Sequence, residues 1–471
     1  MIRAASWSFG FVALALLLLL TLGWTEAHGF LSMDVTDLWA KSIVQIEGPA
    51  QFKASDAFYP PVPYALSLLG QAVLPDTQVP VPFVLSALVG AGLLVLWFLN
   101  LRDTGGFSGV TSALVVLLLA LNPFFLRALA DGPETMFCIL GTWLFARGIV
   151  NLRLTGNAPD MMKVAVGLLV VALSDSYGLM LCLGAMPFMI VAARPSMIAV
   201  SSTGYLVAMF YPVAAAVGAL MFVSMIFDSR LIPLLSESAT PLTLRQHLVI
   251  LAGLGPAALI AILRNIMVPR LFMPLLAAVG AVLGGYTLNV FFHVEGDPAM
   301  ALAPMLGVLV AAIRFWPNLS LREPIAIALL ALSLLTSALV MRHVAHDETR
   351  AWSNAMLGAE NAASRPAREV VSFLRDKSDI MVDVERNPEI VVGLGNIDRL
   401  VIAGEPAYDW ALEGGVPRTR YIVVPQQAEG QATADRILRR FPQLKQSQMP
   451  GYEEVFQNSR WRVFERVNEW N

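Results

Sequence analysis

The sequence predicts a polytopic α-helical membrane protein with a small α/β domain at its C-terminal end. Of the 471 residues, 56% are hydrophobic and only 14% are charged, whereas a soluble domain has about 25% charged residues. The charge is also uneven, with 31 acidic or basic residues in positions 1–341 and 36 in positions 342–471. The chain therefore divides into a membrane domain, 1–341, and a water-exposed domain, 342–471.

A helix that crosses a bilayer needs roughly 20 mostly apolar residues. By that criterion the sequence predicts about eleven spans, of which the first is a signal anchor because no small-residue cleavage site follows it. The least certain boundary is the break at Ser174-Asp175-Ser176. The predicted spans are 7–27, 80–100, 108–126, 133–151, 162–175, 178–193, 203–227, 247–264, 271–292, 299–316 and 324–341.

Basic residues in the short loops predict the orientation of these spans. With a cytoplasmic N-terminus, the inside loops hold ten Lys and Arg and the outside loops hold five. Thirteen of the sixteen acidic residues before position 342 then lie outside. An odd number of spans also places the C-terminal domain outside, in the periplasm or its equivalent. The acidic bias points to chemistry at the outer face.

Charge and cysteine content exclude some function classes. The net charge of −3 gives no basic excess, so nucleic acid is not an expected partner. The two cysteines, Cys138 and Cys182, both lie in apolar runs. They therefore predict neither a disulfide framework nor a cysteine metal site.

The C-terminal domain alternates predicted helices and strands, which is typical of an α/β layer. It contains no catalytic constellation, and its expected role is to cover or shape the outer site. Helices are predicted at 352–376, 407–412 and 433–441, and strands at 380–384, 400–402 and 420–424. A terminal hairpin of 453–457 and 461–466 turns at Asn458-Ser459.

The first outer loop, residues 28–79, carries two predicted helices. Trp39, Ile43 and Ile46 recur at i, i+4 and i+7 and predict an amphipathic helix that lies in the membrane interface. Gly48-Pro49 ends it, and Pro60-Pro61 begins a second helix. The tyrosines on either side of those prolines, Tyr59 and Tyr64, are candidates for substrate contacts.

Two acidic residues stand at the start of the first loop helix. Asp34 followed by Asp37 resembles a capping box, in which a side chain accepts from the free amides of the first turn. The functional alternative is that one carboxylate at the membrane surface acts as a general base on an acceptor hydroxyl. The two interpretations are compatible, because a capping carboxylate can also face a site.

The spacing of this loop resembles a known family. Asp34, Ala40 and Gly48, followed by Tyr59-Pro60-Pro61, are similar to the first outer loop of the GT-C superfamily of integral membrane glycosyltransferases. That superfamily includes protein O-mannosyltransferases, aminoarabinose transferases and polyprenyl-phosphate-mannose-dependent mannosyltransferases. The architectural resemblance covers nearly the whole chain, while the motif covers positions 34–61.

The resemblance implies a polyprenyl-phosphate sugar as donor and a single inverting displacement. It implies that Asp34 is the catalytic residue, with Asp37 as the second choice. The acceptor would be a glycan, a lipid or a protein, and the transferred sugar a hexose or pentose. The expected location is the outer face of a plasma membrane of the bacterial inner-membrane type.

A second cluster, between the third and fourth predicted spans, contains Arg127, Asp131 and Glu134 as candidate substrate-binding residues. Family members often carry an acidic residue at this turn, and Asp131 matches it. The alternatives are that Asp131 caps the next helix ahead of Pro133, and that Arg127 extends to the membrane surface.

A third cluster, His293 with Asp297, is a further candidate for substrate contact, and a divalent cation is left open. No metal is carried over from the resemblance, because Phe58 stands where aminoarabinose enzymes have a metal-binding Glu. Asp175 and Ala299-Met300 also depart from the family pattern. The cations predicted to meet the donor phosphate are Arg230 and Arg245.

Two other functions compete with the enzyme. A transporter or flippase of lipid-linked glycans would need charged residues along a route through the spans, which are nearly free of charge. A non-catalytic scaffold of envelope glycan assembly would have its function in the C-terminal domain. Deletion of that domain would abolish all function of a scaffold, whereas an enzyme could keep some catalysis.

Overall fold

The computed structural model describes residues 2–48, 60–74, 79–192, 194–228, 243–260, 269–292, 294, 297–316, 321–343, 346–426 and 435–467. Helices dominate, with a π-helical turn at Asn100–Thr104 and a 3₁₀ turn at Met300–Leu302. The helices of the membrane part are α1 (Ile2–Ala27), α2 (Met33–Glu47), α3 (Pro61–Val73), α4 (Val81–Leu99), α5 (Gly109–Ala120), α6 (Pro123–Asp131), α7 (Pro133–Thr155), α8 (Ala158–Ala172), α9 (Ser176–Ala192), α10 (Pro195–Asp228), α11 (Leu244–Gly253), α12 (Pro269–Phe292), α13 (Met305–Arg314) and α14 (Arg322–His343).

Within the described ranges, six helical segments are long and apolar enough to cross a membrane, and a bent pair makes a seventh. This confirms the prediction of a polytopic helical membrane protein. The count of eleven spans stays a prediction. The six segments are Ser8–Ala27, Val81–Thr104, Pro133–Thr155, Ser201–Val223, Leu271–Phe292 and Arg322–His343.

One predicted span, 108–126, is divided into α5 and α6, whose axes differ by 59°. Asn122 causes the change of direction, because its side-chain oxygen accepts from the amide of Phe124 at 3.0 Å and caps α6. Pro123 then occupies the first position of the new helix, where its missing N–H costs nothing. The bend turns α6 into the protein, where Arg127 and Asp131 are both buried.

Close helix contacts hold the membrane part together. A Cβ atom at Gly184 in α9 would collide with the backbone of Gly284 and Gly285 in α12. The two helices therefore approach closely only because these positions lack side chains. The predicted break near Asp175 is confirmed, since α8 ends at Ala172 and α9 begins at Ser176.

The C-terminal part forms a five-stranded sheet in the order β2-β1-β3-β5-β4. β1 is parallel to β2 and β3, whereas β5 is antiparallel to β3 and β4. The predicted strands and terminal hairpin are confirmed. The strands are β1 (Ile380–Val382), β2 (Leu400–Val401), β3 (Tyr421–Pro425), β4 (Tyr452–Gln457) and β5 (Trp461–Arg466), and the helices are α15 (Asp347–Met356), α16 (Arg365–Leu374), α17 (Pro388–Leu394), α18 (Pro406–Glu413) and α19 (Arg436–Arg440).

The helix predicted at 352–376 is wrong in one respect, because the structure has two helices there. Gly358 follows the end of α15 with φ of +80°, a conformation that favours glycine and stops the helix. The separate α15 lies next to the first outer loop and contributes to the site described below.

Helix α2 connects the two parts of the chain. Trp39 and Ile43 are 7% and 4% exposed, and they pack into the same core as Val370, Leu374 and Ile380 of the C-terminal part. The apolar stripe that the sequence predicted to lie in the membrane interface is thus largely covered by protein. A stripe of apolar residues shows that a face is buried, but it does not identify what covers it.

Candidate active site

The first turn of α2 is capped by Ser32. Its hydroxyl oxygen accepts from the amide of Val35 at 3.1 Å and donates to the backbone carbonyl of Asp131 at 3.0 Å. Asp34 is therefore not the N-cap that the capping interpretation assigned to it. It is the second residue of the helix, within the first turn, and its side chain is half-buried. Among the described residues, its carboxylate has no hydrogen-bond or ion-pair partner.

Arg127 is the centre of the buried charge next to this turn. Its side chain is fully buried, so the interpretation that it extends to the membrane surface is wrong. Nη1 contacts Asp131 Oδ1 at 2.7 Å, and Nη2 lies 3.4 Å from Glu348 Oε2 and 3.8 Å from Asp297 Oδ2. The guanidinium also lies 5.3 Å from the Phe30 ring. Three carboxylates therefore surround one buried cation.

Asp131 ends α6, and Gly132 rather than Asp131 is the N-cap of α7. The Asp131 carboxylate nevertheless accepts from the Thr135 hydroxyl at 2.6 Å, in the first turn of α7. Gly132 adopts φ of +131°, and a Cβ there would lie 3.1 Å from the Val35 side chain. The turn between α6 and α7 thus packs directly against the turn that carries Asp34.

Asp297, from the third predicted cluster, joins the same group. It accepts from the amide of Ala299 at 2.9 Å and from the Thr349 hydroxyl, and His346 Nδ1 lies 3.7 Å away. Burial raises the pKa of its carboxyl. The structure therefore brings Asp131 and Asp297 together on Arg127, although 166 positions separate the two residues in the sequence.

A second pair of charges lies further along α2. Asp37 Oδ2 contacts Lys41 Nζ at 2.6 Å, so Asp37 is ion-paired. Lys41 interacts electrostatically with Glu134 and Tyr64. Tyr64 is 4% exposed and packs on Leu38. The predicted residues Glu134 and Tyr64 therefore lie near this ion pair.

Burial raises the pKa of the Asp34 carboxyl well above its usual range. Neighbouring negative charges raise it further, namely those of Asp131, Glu134, Glu348 and Asp175. A carboxylate with a raised pKa is a stronger base, and catalysis by a general base is most efficient when its pKa lies near the working pH. Asp34 therefore has the electrostatic setting of a proton acceptor.

Two members of this charged group were not among the candidate site residues. Glu348 was assigned to the water-exposed domain, and Asp175 was noted only as a departure from the family. Asp175 is 5% exposed and accepts from the amide of Tyr177 at 2.9 Å. Its position in a break between two apolar segments was the available signal, since a charge there is a functional hypothesis by default. For Glu348 the sequence carries no such signal.

The remaining candidates are not joined to the Arg127 group. Tyr59, Arg230 and His293 lie outside the described residues. Arg245 is exposed in the first turn of α11, and no described hydrogen bond or ion pair connects it to Asp131 or Asp34. Among the described residues there is no group of three or more His, Cys, Asp or Glu that could hold a metal ion.

A cavity of about 780 Å³ lies beside this group, between the first outer loop and the C-terminal part. Its walls include Phe30, Met33 and Glu348 on one side and Val371 on the other. Arg368 of α16 and Arg375, the residue that follows this helix, also line it. The cavity is large enough for a sugar or part of a lipid headgroup.

Comparison with solved structures identifies the architecture. A crystal structure of ArnT from Cupriavidus metallidurans bound to undecaprenyl phosphate matches with a TM-score of 0.57 and 13% identity, covering 98% of each chain. The chain has the ArnT fold. The apo form of the same ArnT matches with a TM-score of 0.54 and 13% identity, covering 99% of this chain and 98% of ArnT. This confirms the resemblance to GT-C enzymes at the level of the fold. No family model and no curated protein sequence matches.

Proposed function

We propose that the protein is a membrane glycosyltransferase that moves a sugar from a polyprenyl-phosphate donor to a glycan, lipid or protein acceptor. The observation that carries the proposal is the setting of Asp34, a half-buried carboxylate that has no partner among the described residues and lies beside the Arg127 group, in a chain with the ArnT fold. The ArnT structure that it resembles holds undecaprenyl phosphate, which supports a polyprenyl-phosphate donor here.

The chemistry would be a single displacement with inversion. The acceptor hydroxyl oxygen forms a bond to the anomeric carbon while the bond from that carbon to the phosphate oxygen breaks. Asp34 takes the hydroxyl proton, and the polyprenyl phosphate leaves with the electron pair. Asp37 is the less suitable base, because its carboxylate is already engaged in an ion pair with Lys41 at 2.6 Å.

The leaving phosphate needs positive charge. Arg127 is already surrounded by three carboxylates, so it orders the site rather than meeting the phosphate. Arg230 and Arg245 remain the proposed phosphate contacts, and Tyr59, Tyr64, Glu134 and His293 remain proposed substrate contacts. Asp131 and Asp297 act through Arg127. A divalent cation is not required by this assignment.

The proposed location is the outer face of the plasma membrane of a bacterial-type cell. The N-terminus would lie in the cytoplasm and residues 342–471 in the periplasm. The covered face of α2 supports this, because the packing of Trp39 and Ile43 against the C-terminal core requires the first outer loop and that core to be on one side of the membrane.

Purified protein in liposomes, supplied with radiolabelled polyprenyl-phosphate sugars and an outer-membrane lipid extract as acceptor, tests the proposal. We expect D34N to lower transfer at least 100-fold, since a general base contributes about 10²–10⁴-fold. The matched control is D37N, on the same helix, which should lose less than tenfold. Full activity of D34N in correctly inserted protein would exclude Asp34 as the base. Movement of intact labelled lipid without sugar transfer would favour the flippase alternative.

A further inference from the structure

Glu348 contacts both the start of helix α2 and the buried cation. Its Oε1 accepts from the backbone amide of Met33 at 2.9 Å, and Oε2 lies 3.4 Å from Arg127 Nη2. Its side chain is 24% exposed. Glu348 belongs to α15, after the last apolar helix, and is separated from Met33 by 315 positions. A residue from the beginning of the C-terminal part thus reaches the first turn of the loop helix.

These contacts continue into a closed ring. Arg127 contacts Asp131 through their side chains at 2.7 Å, and the backbone carbonyl of Asp131 accepts from the Ser32 hydroxyl at 3.0 Å. The same hydroxyl oxygen accepts from the amide of Val35 at 3.1 Å. Glu348 closes the ring at Met33. Both neighbours of Asp34 in the sequence, Met33 and Val35, are therefore held by residues of this ring.

The hydrogen bond from the Met33 amide to Glu348 lies in the first turn of α2, where it can fix the backbone. The first four amides of a helix have no partner within the helix and must be satisfied from outside. A carboxylate is a favourable acceptor there, both because the bond is charge-assisted and because the helix dipole attracts it. Among the described residues, Glu348 is the acceptor for the Met33 amide, whereas Ser32 binds Val35 and Thr36. Without the carboxylate of Glu348, the residue directly before Asp34 loses its anchor.

We propose that Glu348 is a positioning residue for Asp34, which fixes the first turn of α2 so that the carboxylate of Asp34 meets the acceptor hydroxyl. This inference rests on the proposed function. It also assigns a catalytic contribution to the segment after the last apolar helix, in addition to covering the site. The negative charge of Glu348 has a second effect, because it helps to raise the pKa of Asp34.

Two substitutions separate these effects. E348A removes both the acceptor oxygen and the charge, whereas E348Q keeps an oxygen that can accept from Met33 and removes only the charge. The matched control is D347N, at the preceding position of α15, where the side chain is 96% exposed and contacts only Arg350 among the described residues. Each variant is assayed in liposomes beside the wild type and D34N, with kcat, KM for the donor, and the pH dependence of kcat/KM.

For E348A we expect kcat to fall about 10–100-fold with KM for the donor within threefold, since a displacement of about 1 Å at a reacting group can cost 10²-fold. E348Q should show a decrease in log kcat relative to the wild type that is at most half of the decrease in E348A. Its rate should also begin to fall at a lower pH than that of the wild type, because a negative charge next to the base has been removed. D347N should match the wild type in all three measurements.

Each outcome decides one question. If D34N is inactive but E348A keeps kcat within twofold, Glu348 has no positioning role and the proposed function stands. If D34N is fully active, the proposed function fails whatever E348A does. If E348A is not recovered as folded protein, E348M, which keeps most of the side-chain volume and removes both oxygens, decides, and a kcat within twofold of the wild type overturns the inference. Equal losses in E348A and E348Q, with lowered thermal stability and no pH shift, would show a purely structural role.

Discussion

Replacement of Arg127 by methionine tests the central feature of the site, a buried cation shared by three carboxylates. Its guanidinium is fully buried, 2.7 Å from Asp131 and within 3.8 Å of Glu348 and Asp297. At an effective dielectric constant near 20, each carboxylate about 4 Å away attracts the cation by about 4 kcal/mol. The energy of removing the charges from water cancels much of that attraction. Because the carboxylates would stay buried without the cation, we expect R127M to lose about 3–5 kcal/mol of unfolding free energy.

The assay is denaturant unfolding in detergent, followed by the fluorescence of the ten tryptophans. The double variant R127M/D131N should lose less than the sum of the two single variants, because it removes one uncompensated carboxylate together with the cation. R365M is the matched control, since the Arg365–Glu369 side chains are 78% and 43% exposed and such a pair contributes under about 1 kcal/mol. A loss below about 1 kcal/mol for R127M would refute the reasoning, because it would mean that the cation is not required by its neighbours.

Two further predictions concern the base and the membrane helices. Because the base must be deprotonated and burial with nearby carboxylates raises the pKa of Asp34, kcat/KM should fall on acidification at a pH well above the usual carboxyl value of about 3.9. E134Q should move that fall to lower pH, and a fall near pH 4 that E134Q leaves in place would contradict the assignment. G184V should lose about 1–3 kcal/mol of stability through collision between α9 and α12. Its control is G218V in α10, where a Cβ would meet nothing within 4 Å; equal effects of the two variants would argue against the close contact.

Much of the architecture could be predicted from local patterns. The loop helix was expected from the spacing of Trp39, Ile43 and Ile46, and the structure has it at Met33–Glu47 with Gly48 as its end. The terminal hairpin was expected to turn at Asn458-Ser459, and it does. These features depend on interactions within about one helical turn or between adjacent strands, which the order of residues encodes directly.

Other predictions from the sequence were wrong, and each has a physical reason. The apolar length of 108–126 predicted one span, because hydropathy is insensitive to the side-chain cap that Asn122 supplies to α6. Asp34 and Asp131 resembled caps because their spacing allowed it. Ser32 and Gly132 occupy those positions instead. The Asp34 carboxylate then has no partner in the described part of the chain, and the Asp131 carboxylate is bound to Arg127.

The sequence by itself determined that the protein is a polytopic membrane protein and that an amphipathic helix with Asp34 in its first turn follows the first apolar segment. It could do so because apolar length, charge placement and helix periodicity are properties of short segments. Only the tertiary structure decided which charges meet. Arg127 is buried because α6 bends inward, and Glu348 reaches Met33 across 315 positions because α15 packs beside the first outer loop. The partners of a buried charge depend on which surfaces exclude water together, and packing of distant segments alone decides that.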